Sequence, residues 1–195
     1  MEDDEHIRAW LRDRNPASLT LLLTPYETGI FSFMMRMLNH HQDAEDASQA
    51  AFIAAVTALP AYEAKGRFKS WLYQIAANEA RMLLRKRTRH AHRHKPIEES
   101  DNTLAKDFSG HGAASIPTPM ETLLAGERIQ ALQEAVQQLP EAEREVVTLR
   151  LQLDCTYEEI AEITGSPLGT VLGRMRNATR RLRLALEKEH HYDTA

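Results

Sequence analysis

Apolar residues recur along the chain at spacings of three and four, and no segment alternates with period two, so the fold is expected to be all-α with no sheet. A first helix is predicted over about Asp4 to Arg12, with Ile7, Trp10 and Leu11 on one side. Pro16 or Ser18 opens a second. Thr24-Pro25 has the form of an N-cap followed by a first-turn proline, starting or kinking a helix through Ile30, Phe31, Met34, Met35 and Leu38. The next helix is placed near Asp43: Asp43, Glu45 and Asp46 in its first turn suit the helix dipole, and Ala47, Ala51, Phe52, Ala55 and Val56 form its apolar stripe. Leu59-Pro60 ends it. After a loop containing Lys65-Gly66, a long helix is predicted from about Phe68. Trp71, Leu72, Ile75, Ala76, Met82 and Leu83 supply its buried side, and Lys69, Gln74, Asn78, Arg81 and Arg85 recur on another face.

Periodicity vanishes from about His90 to Thr118, where His, Ser, Gly, Asp and Pro accumulate in a composition typical of linkers. The chain therefore divides into a first module (1–90), a flexible linker (91–120) and a second module (121–190). Helical spacing resumes with Leu123, Ile129, Leu132, Val136 and Leu139; Pro140 suits the start of a helix in which Val146, Val147, Leu149 and Leu151 are apolar. Two more helices follow, Tyr157 to Ile163 and about Leu168 to Leu186, separated by Thr164-Gly165-Ser166-Pro167. That pair has helix-turn-helix spacing. Ile160, Ala161 and Val171 can face inward, Ala161 permits a close crossing, and Gly165 can take the turn's backbone angles. A second helix so held would place Ser166, Pro167, Leu168, Thr170 and Arg174 near base edges and Arg176, Arg180 and Arg181 near phosphates. An ordinary helical hairpin with a charged tail is the plainer alternative.

Charge changes the picture by its distribution. The net charge of -4 argues against a polyanion partner, yet Arg81, Arg85, Lys86, Arg87, Arg89, Arg93 and Lys95 follow one another with no intervening acid. A second basic stretch runs from Arg174 through Arg183, while acids gather at Glu2 to Glu5, Asp43 to Asp46 and Glu98 to Asp101. Unrelieved cations repel one another and gain from an anionic ligand. No apolar run approaches the roughly 20 residues that cross a bilayer, and the N-terminus is acidic where a signal peptide is basic, so a cytoplasmic protein without direct membrane insertion is expected. The single cysteine, Cys155, excludes an internal disulfide and fits a small semi-buried position. His90, His92, His94 and His111 could suggest a His-rich metal-responsive protein, but neighbouring arginines repel a cation and no cysteine or acid stands within the run. No metal site and no cofactor are expected. Neither a phosphate-binding Gly-rich loop nor a nucleophile elbow nor an HExxH motif is present, so no catalytic residues are assigned.

Taken together, these residues resemble the extracytoplasmic-function (ECF) group of the bacterial sigma-70 family of RNA polymerase sigma factors. Asp43-Ala44-Glu45-Asp46-Ala47-Ser48-Gln49-Ala50-Ala51-Phe52 looks like the family's region 2.2, and Gly66-Arg67-Phe68-Lys69-Ser70-Trp71-Leu72-Tyr73-Gln74-Ile75-Ala76-Ala77-Asn78-Glu79-Ala80 looks like regions 2.3 and 2.4. In the second module Leu139-Pro140 with Arg144 and Val147, then Tyr157-Glu158-Glu159-Ile160-Ala161 and Gly169-Thr170-Val171 with Arg174, is similar to region 4. The resemblance implies a protein that binds core RNA polymerase through its beta-prime and beta subunits, directs it to promoter DNA, helps to open the duplex, and answers to an anti-sigma factor. It implies contacts from Asp43, Asp46, Gln49 and Phe52 to polymerase, with Phe52 also read as partly core. It implies minus-10 contacts from Lys69, Asn78, Arg81 and Arg85 and a base pocket around the loop from Tyr62 to Lys69. Trp71 shares the spacing of Leu72, Ile75 and Met82 and is read as core, with a supporting role only. Minus-35 contacts fall to Ser166, Pro167, Thr170, Arg174, Arg176 and Arg180. Leu172, Gly173, Asn177 and Thr179 depart from the family's usual residues there, so the sequence read is left open. A helix-turn-helix regulator that never joins polymerase is the main rival; it leaves the Asp43 to Phe52 resemblance unexplained.

Overall fold

The computed structural model describes residues 2–63, 66–93 and 129–192, and all regular structure among them is helical. The first body comprises α1 (Glu2–Asp13), α2 (Pro16–Leu38), α3 (His41–Ala58) with a 3-10 turn at Leu59–Ala61, and α4 (Phe68–Arg93). The second comprises α5 (residues 129–137), α6 (Glu141–Gln152), α7 (Tyr157–Thr164) and α8 (Leu168–Tyr192). The expected flexible linker and the histidine run lie outside the residues whose side chains are described, although α4 itself continues past His90 to Arg93.

Several helix ends differ from the sequence-based expectation. Asn15, whose side chain accepts from the Ala17 N–H, caps α2 with Pro16 in the first turn, and the helix continues past Pro25 without starting there. Proline in a helix interior costs about 3 kcal/mol. Leu22, Ile30, Phe33 and Met34, all fully buried on either side of it, outweigh that by holding one continuous face against the core. Leu21, whose carbonyl loses its donor at Pro25, is 60% exposed. α3 starts at His41, two residues before Asp43, because the His40 imidazole Nδ1 accepts from the Asp43 N–H. Its buried stripe of Ala44, Ala47, Ser48, Ala51 and Ala55 is made of small residues, so α2 and α4 approach it closely.

Met82 was expected on the buried side of α4 and is 57% exposed. Leu72 and Ala76 are buried as expected and Trp71, Ile75 and Leu83 are half-buried, but the face that packs is centred on Phe68, Leu72, Tyr73, Ala76, Ala77 and Ala80, away from Met82 on the helix circumference. In the second body Val136, Leu139, Val147 and Ala178 form a small core. Ile129, Leu132 and Leu151 share the helical spacing but sit 53%, 37% and 59% exposed, on faces that nothing in the described chain covers.

The two bodies pack on each other, α6 against α2 and α7 against α4, and a single buried cluster runs from Ile7, Phe33 and Leu72 to Val146, Leu149, Ile160, Ile163 and Val171. The last carbonyls of α2, which have no intrahelical partner, are bonded by three side chains: Gln137 Nε2 to Arg36 O (3.0 Å), Arg144 to Met37 O (3.2 Å) and Arg87 to Leu38 O (2.7 Å). Two of those donors come from the second body. Gly29 of α2 sits at the junction, where a Cβ would run into the Tyr73 hydroxyl and lie 3.5 Å from Leu153 Cδ2.

Candidate nucleic-acid interface

Thr156 and Glu159 cap α7 reciprocally, each side chain bonding the other's backbone N–H, and Gly165 ends the helix in the left-handed region (φ 62, ψ 29). The chain then turns into α8. Ile160 and Val171 are fully buried between the two helices, with Ala161 half-buried at the crossing, so the expected helix-turn-helix geometry is present. Pro167, Leu168, Gly169 and Thr170 stand exposed at the start of α8, and Arg176 and Arg180 are exposed further along. Arg174 turns back to donate to Ser166 Oγ at 3.0 Å, which fixes these two candidates against each other. Arg181 is not among the free cations: it pairs at 3.1 Å with Glu143, a carboxylate buried between α6 and α8.

On α4, Asn78 and Arg85 are exposed and Arg81 is half-buried, all on one side of the helix. Lys69 stands about 180° around the axis from Asn78, where its Nζ donates to the Leu153 carbonyl at 2.8 Å. The four minus-10 candidates thus form a group of three and one outlier. Arg81 reaches across to the Glu145 carboxylate (3.3 Å), a buried residue that no sequence signal singled out. Burial pushes the Glu145 carboxyl above the usual range, outweighing the downward pull of Arg81. Trp71 is half-buried, with ring centroids 4.8 Å from Tyr62 and 5.6 Å from Phe68, consistent with a supporting place in an aromatic cluster.

The α3 candidates also separate. Asp46 and Gln49 are exposed, and Phe52 is half-buried against the core. Asp43 is engaged internally: it pairs with Arg87 of α4, whose guanidinium also holds Leu38 O, and lies 3.7 Å from His40. Removal from water lowers the Arg87 pKa. One further residue was missed from the sequence. Ile53 is 61% exposed one turn from Gln49, an apolar side chain on the same outward face as Asp46. Its apolar character had no period to mark it as either core or surface.

Cys155 is buried, which raises its thiol pKa. Among the described residues no group of three His, Cys, Asp or Glu side chains could hold a metal ion, and no helix is long and apolar enough to cross a membrane. A shallow apolar groove runs between α6 and α8, lined by Val147, Leu151, Met175, Leu182 and Leu186.

Comparison with known proteins gives these faces a context. Residues 22–90 match the family model for sigma-70 region 2, and residues 129–182 match that for sigma-70 region 4. The chain is 32% identical to the RNA polymerase sigma-H factor of Pseudomonas aeruginosa over 95% of both chains. It is 33% identical to the ECF RNA polymerase sigma-E factor of Escherichia coli K12 over 81% of both. Among solved structures, the sigma factor RpoE of Bartonella quintana, crystallised with the anti-sigma factor NepR, superposes with a TM-score of 0.63 at 25% identity, covering 85% of this chain and 94% of that one. The same fold occurs in CnrH, solved in complex with the cytosolic domain of CnrY (TM-score 0.66, 18% identity, covering 96% of this chain and 99% of that one).

Proposed function

Because the chain belongs to the extracytoplasmic-function group of the sigma-70 family of RNA polymerase sigma factors, we propose that its separate faces carry the steps of promoter-directed initiation as follows. Residues 1–90 act as the region 2 module, 91–120 as a tether and 121–190 as the region 4 module. The outward face of α3, with Asp46, Gln49 and Ile53, docks on the beta-prime subunit; Phe52 steadies it from below, and Asp43 sets its orientation through Arg87. The apolar α6–α8 groove receives a segment of the beta subunit.

Asn78, Arg81 and Arg85 approach the minus-10 element along α4. Unstacking a base costs a few kcal/mol, which backbone contacts by these side chains and a pocket near Tyr62 and Lys69 offset. Thr170, Pro167 and the Ser166–Arg174 pair present the α8 start to the major groove at minus-35, and Arg176 and Arg180 hold flanking phosphates. Phosphodiester chemistry stays with polymerase, and the protein acts in the cytoplasm. An anti-sigma factor controls its availability, as NepR accompanies the Bartonella relative.

The observation that carries this reading is the combination, in one chain, of an exposed Asp46–Gln49–Ile53 face with an exposed helix-turn-helix. A regulator that acted without polymerase would need only the second. The test is co-elution with core polymerase: the wild-type chain should travel with it and Asp46→Arg/Ile53→Asp should not, while both bind duplex DNA alike. Equal polymerase binding by the two proteins would favour the regulator.

A further inference from the structure

Met82 is a large apolar side chain that neither the core nor the contacts proposed above account for. It lies outside both buried clusters of the described residues and is 57% exposed. A lone exposed methionine is ordinary on a protein surface, and methionine suits a helix. Its setting is not ordinary. At about 100° per residue, Met82 lies about 40° around the α4 axis from Asn78 and about 20° from Arg89, and both of those side chains are exposed. Arg85 and Lys86, also exposed, flank it on either side. The methionine therefore stands in the middle of the cationic stripe and not at its border. The one acid within a turn of it along α4, Glu79, is half-buried.

That position gives the side chain a narrow choice of useful contacts. Cations on such a face hold phosphates, and their attraction is blind to sequence. A thioether gains nothing from phosphate. It contributes where it meets another apolar group, and among the groups that the four bases present at their edges the thymine C5-methyl is the apolar one. Methionine also has three rotatable bonds and a polarizable sulfur, so it can settle on a base whose place is set by the polar contacts around it. Asn78 carries the amide able to pair with a base edge. Met82 follows one turn later, about 6 Å along the axis, a span of at most about two base steps of about 3.4 Å.

We propose that Met82 is a specificity-determining residue of α4, which reads the 5-methyl group of a thymine in the minus-10 element, within about two base steps of the base that Asn78 contacts. The inference rests on the reading of α4 as the DNA-facing helix and adds a base-specific contact to it. Arg85, Lys86 and Arg89 hold the strand whatever its sequence, while Met82 makes one position of it unequal. One buried methyl is worth about a fourfold preference. A contact of that size selects among sites that charge has already bound.

The test uses uracil, which pairs as thymine does and lacks only the 5-methyl group. The full-length chain is combined with core polymerase, and a promoter is taken from the start sites that the complex selects on genomic fragments. Each thymine of its minus-10 element, on either strand, is then replaced in turn by uracil, and the rate of abortive initiation is measured on each template. With the wild-type chain one replacement should slow initiation about fourfold. Met82→Gln, similar in length but polar, should initiate at the reduced rate on both templates, and Met82→Leu, which keeps an apolar tip, should restore the difference. Three results overturn the inference: wild-type rates indifferent to every uracil, a minus-10 element without thymine, or an undiminished uracil penalty in Met82→Gln. The reading of α4 survives them if Asn78→Ala/Arg85→Ala silences the promoter. A promoter that this pair leaves active overturns both.

Discussion

Asp43 and Asp46 occupy one turn of α3 and read alike in the sequence, but their surroundings predict opposite phenotypes. Asp43 pairs with Arg87, whose guanidinium also donates to Leu38 O; Asp46 is exposed and, among the described residues, accepts from Gln42 at 3.2 Å. A charged hydrogen bond in a dry site contributes about 1.5–3 kcal/mol. The Asp43 and Arg87 side chains are 31% and 37% exposed, so solvent screening reduces the pair to about 1 kcal/mol. Asp43→Asn should therefore lower the melting temperature by about 2–4 °C. Asp46→Asn should stay within about 0.5 kcal/mol of wild type, yet weaken polymerase binding. A double-mutant cycle with Arg87→Met should return a coupling of about 0.5–1 kcal/mol for Asp43 and none for Asp46, measured by thermal or urea denaturation in low salt. Equal stabilities for the two asparagine variants, with no coupling to Arg87, would refute the division of labour along α3.

Other substitutions probe the remaining faces. Ile53→Asp, at a position 61% exposed, should leave stability unchanged and reduce co-elution with core polymerase. Ile160→Ala removes a fully buried side chain at the α7–α8 crossing and should cost about 2–5 kcal/mol in urea unfolding, with loss of duplex binding. Gly165→Ala forces an alanine into the left-handed region (φ 62) and should cost about 1–2 kcal/mol. For Glu145 the sign follows from its raised carboxyl pKa: the folded state binds the proton more tightly than the unfolded state. The stability it contributes is full below the usual carboxylate range and is lost as pH rises through the raised value. Melting curves should accordingly show Glu145→Gln gaining on wild type as pH increases from acid toward neutral, and a gap that narrows instead would contradict the assigned direction.

Long periodic helices were the most legible part of the chain. α4 was foreseen from Phe68 onward because aromatic and aliphatic residues repeat for several turns, and the α7–α8 pair because Gly165 and the inward residues leave little alternative. Local signals failed where tertiary packing competed with them. Pro25 reads as a helix start or kink, and the start gives way because Leu22 and Ile30 need one continuous helix; His40 caps α3 through an imidazole that few patterns would nominate. Met82 and Leu132 show that helical spacing alone does not say which apolar side chains find a neighbour. The contact between the modules had no sequence signature. Arg144 stands in the likeness to region 4, and Glu145 and Glu162 look like ordinary surface charges; only the folded chain reveals that the three meet the Met37 carbonyl of α2, Arg81 and Arg67. For the same reason the site residues were legible as types and not as groups. Arg81 and Arg85 share a face, while Lys69 points elsewhere.

The central claim is that this chain confers promoter choice on polymerase, and start-site mapping of RNA made in vitro from genomic fragments tests it most directly. Core polymerase with the wild-type chain should begin transcripts at a reproducible set of positions that core alone does not use, and Asn78→Ala/Arg85→Ala or Arg176→Ala/Arg180→Ala should silence that set without abolishing polymerase binding. The same start sites with and without the chain, or a set indifferent to both pairs of substitutions, would contradict it.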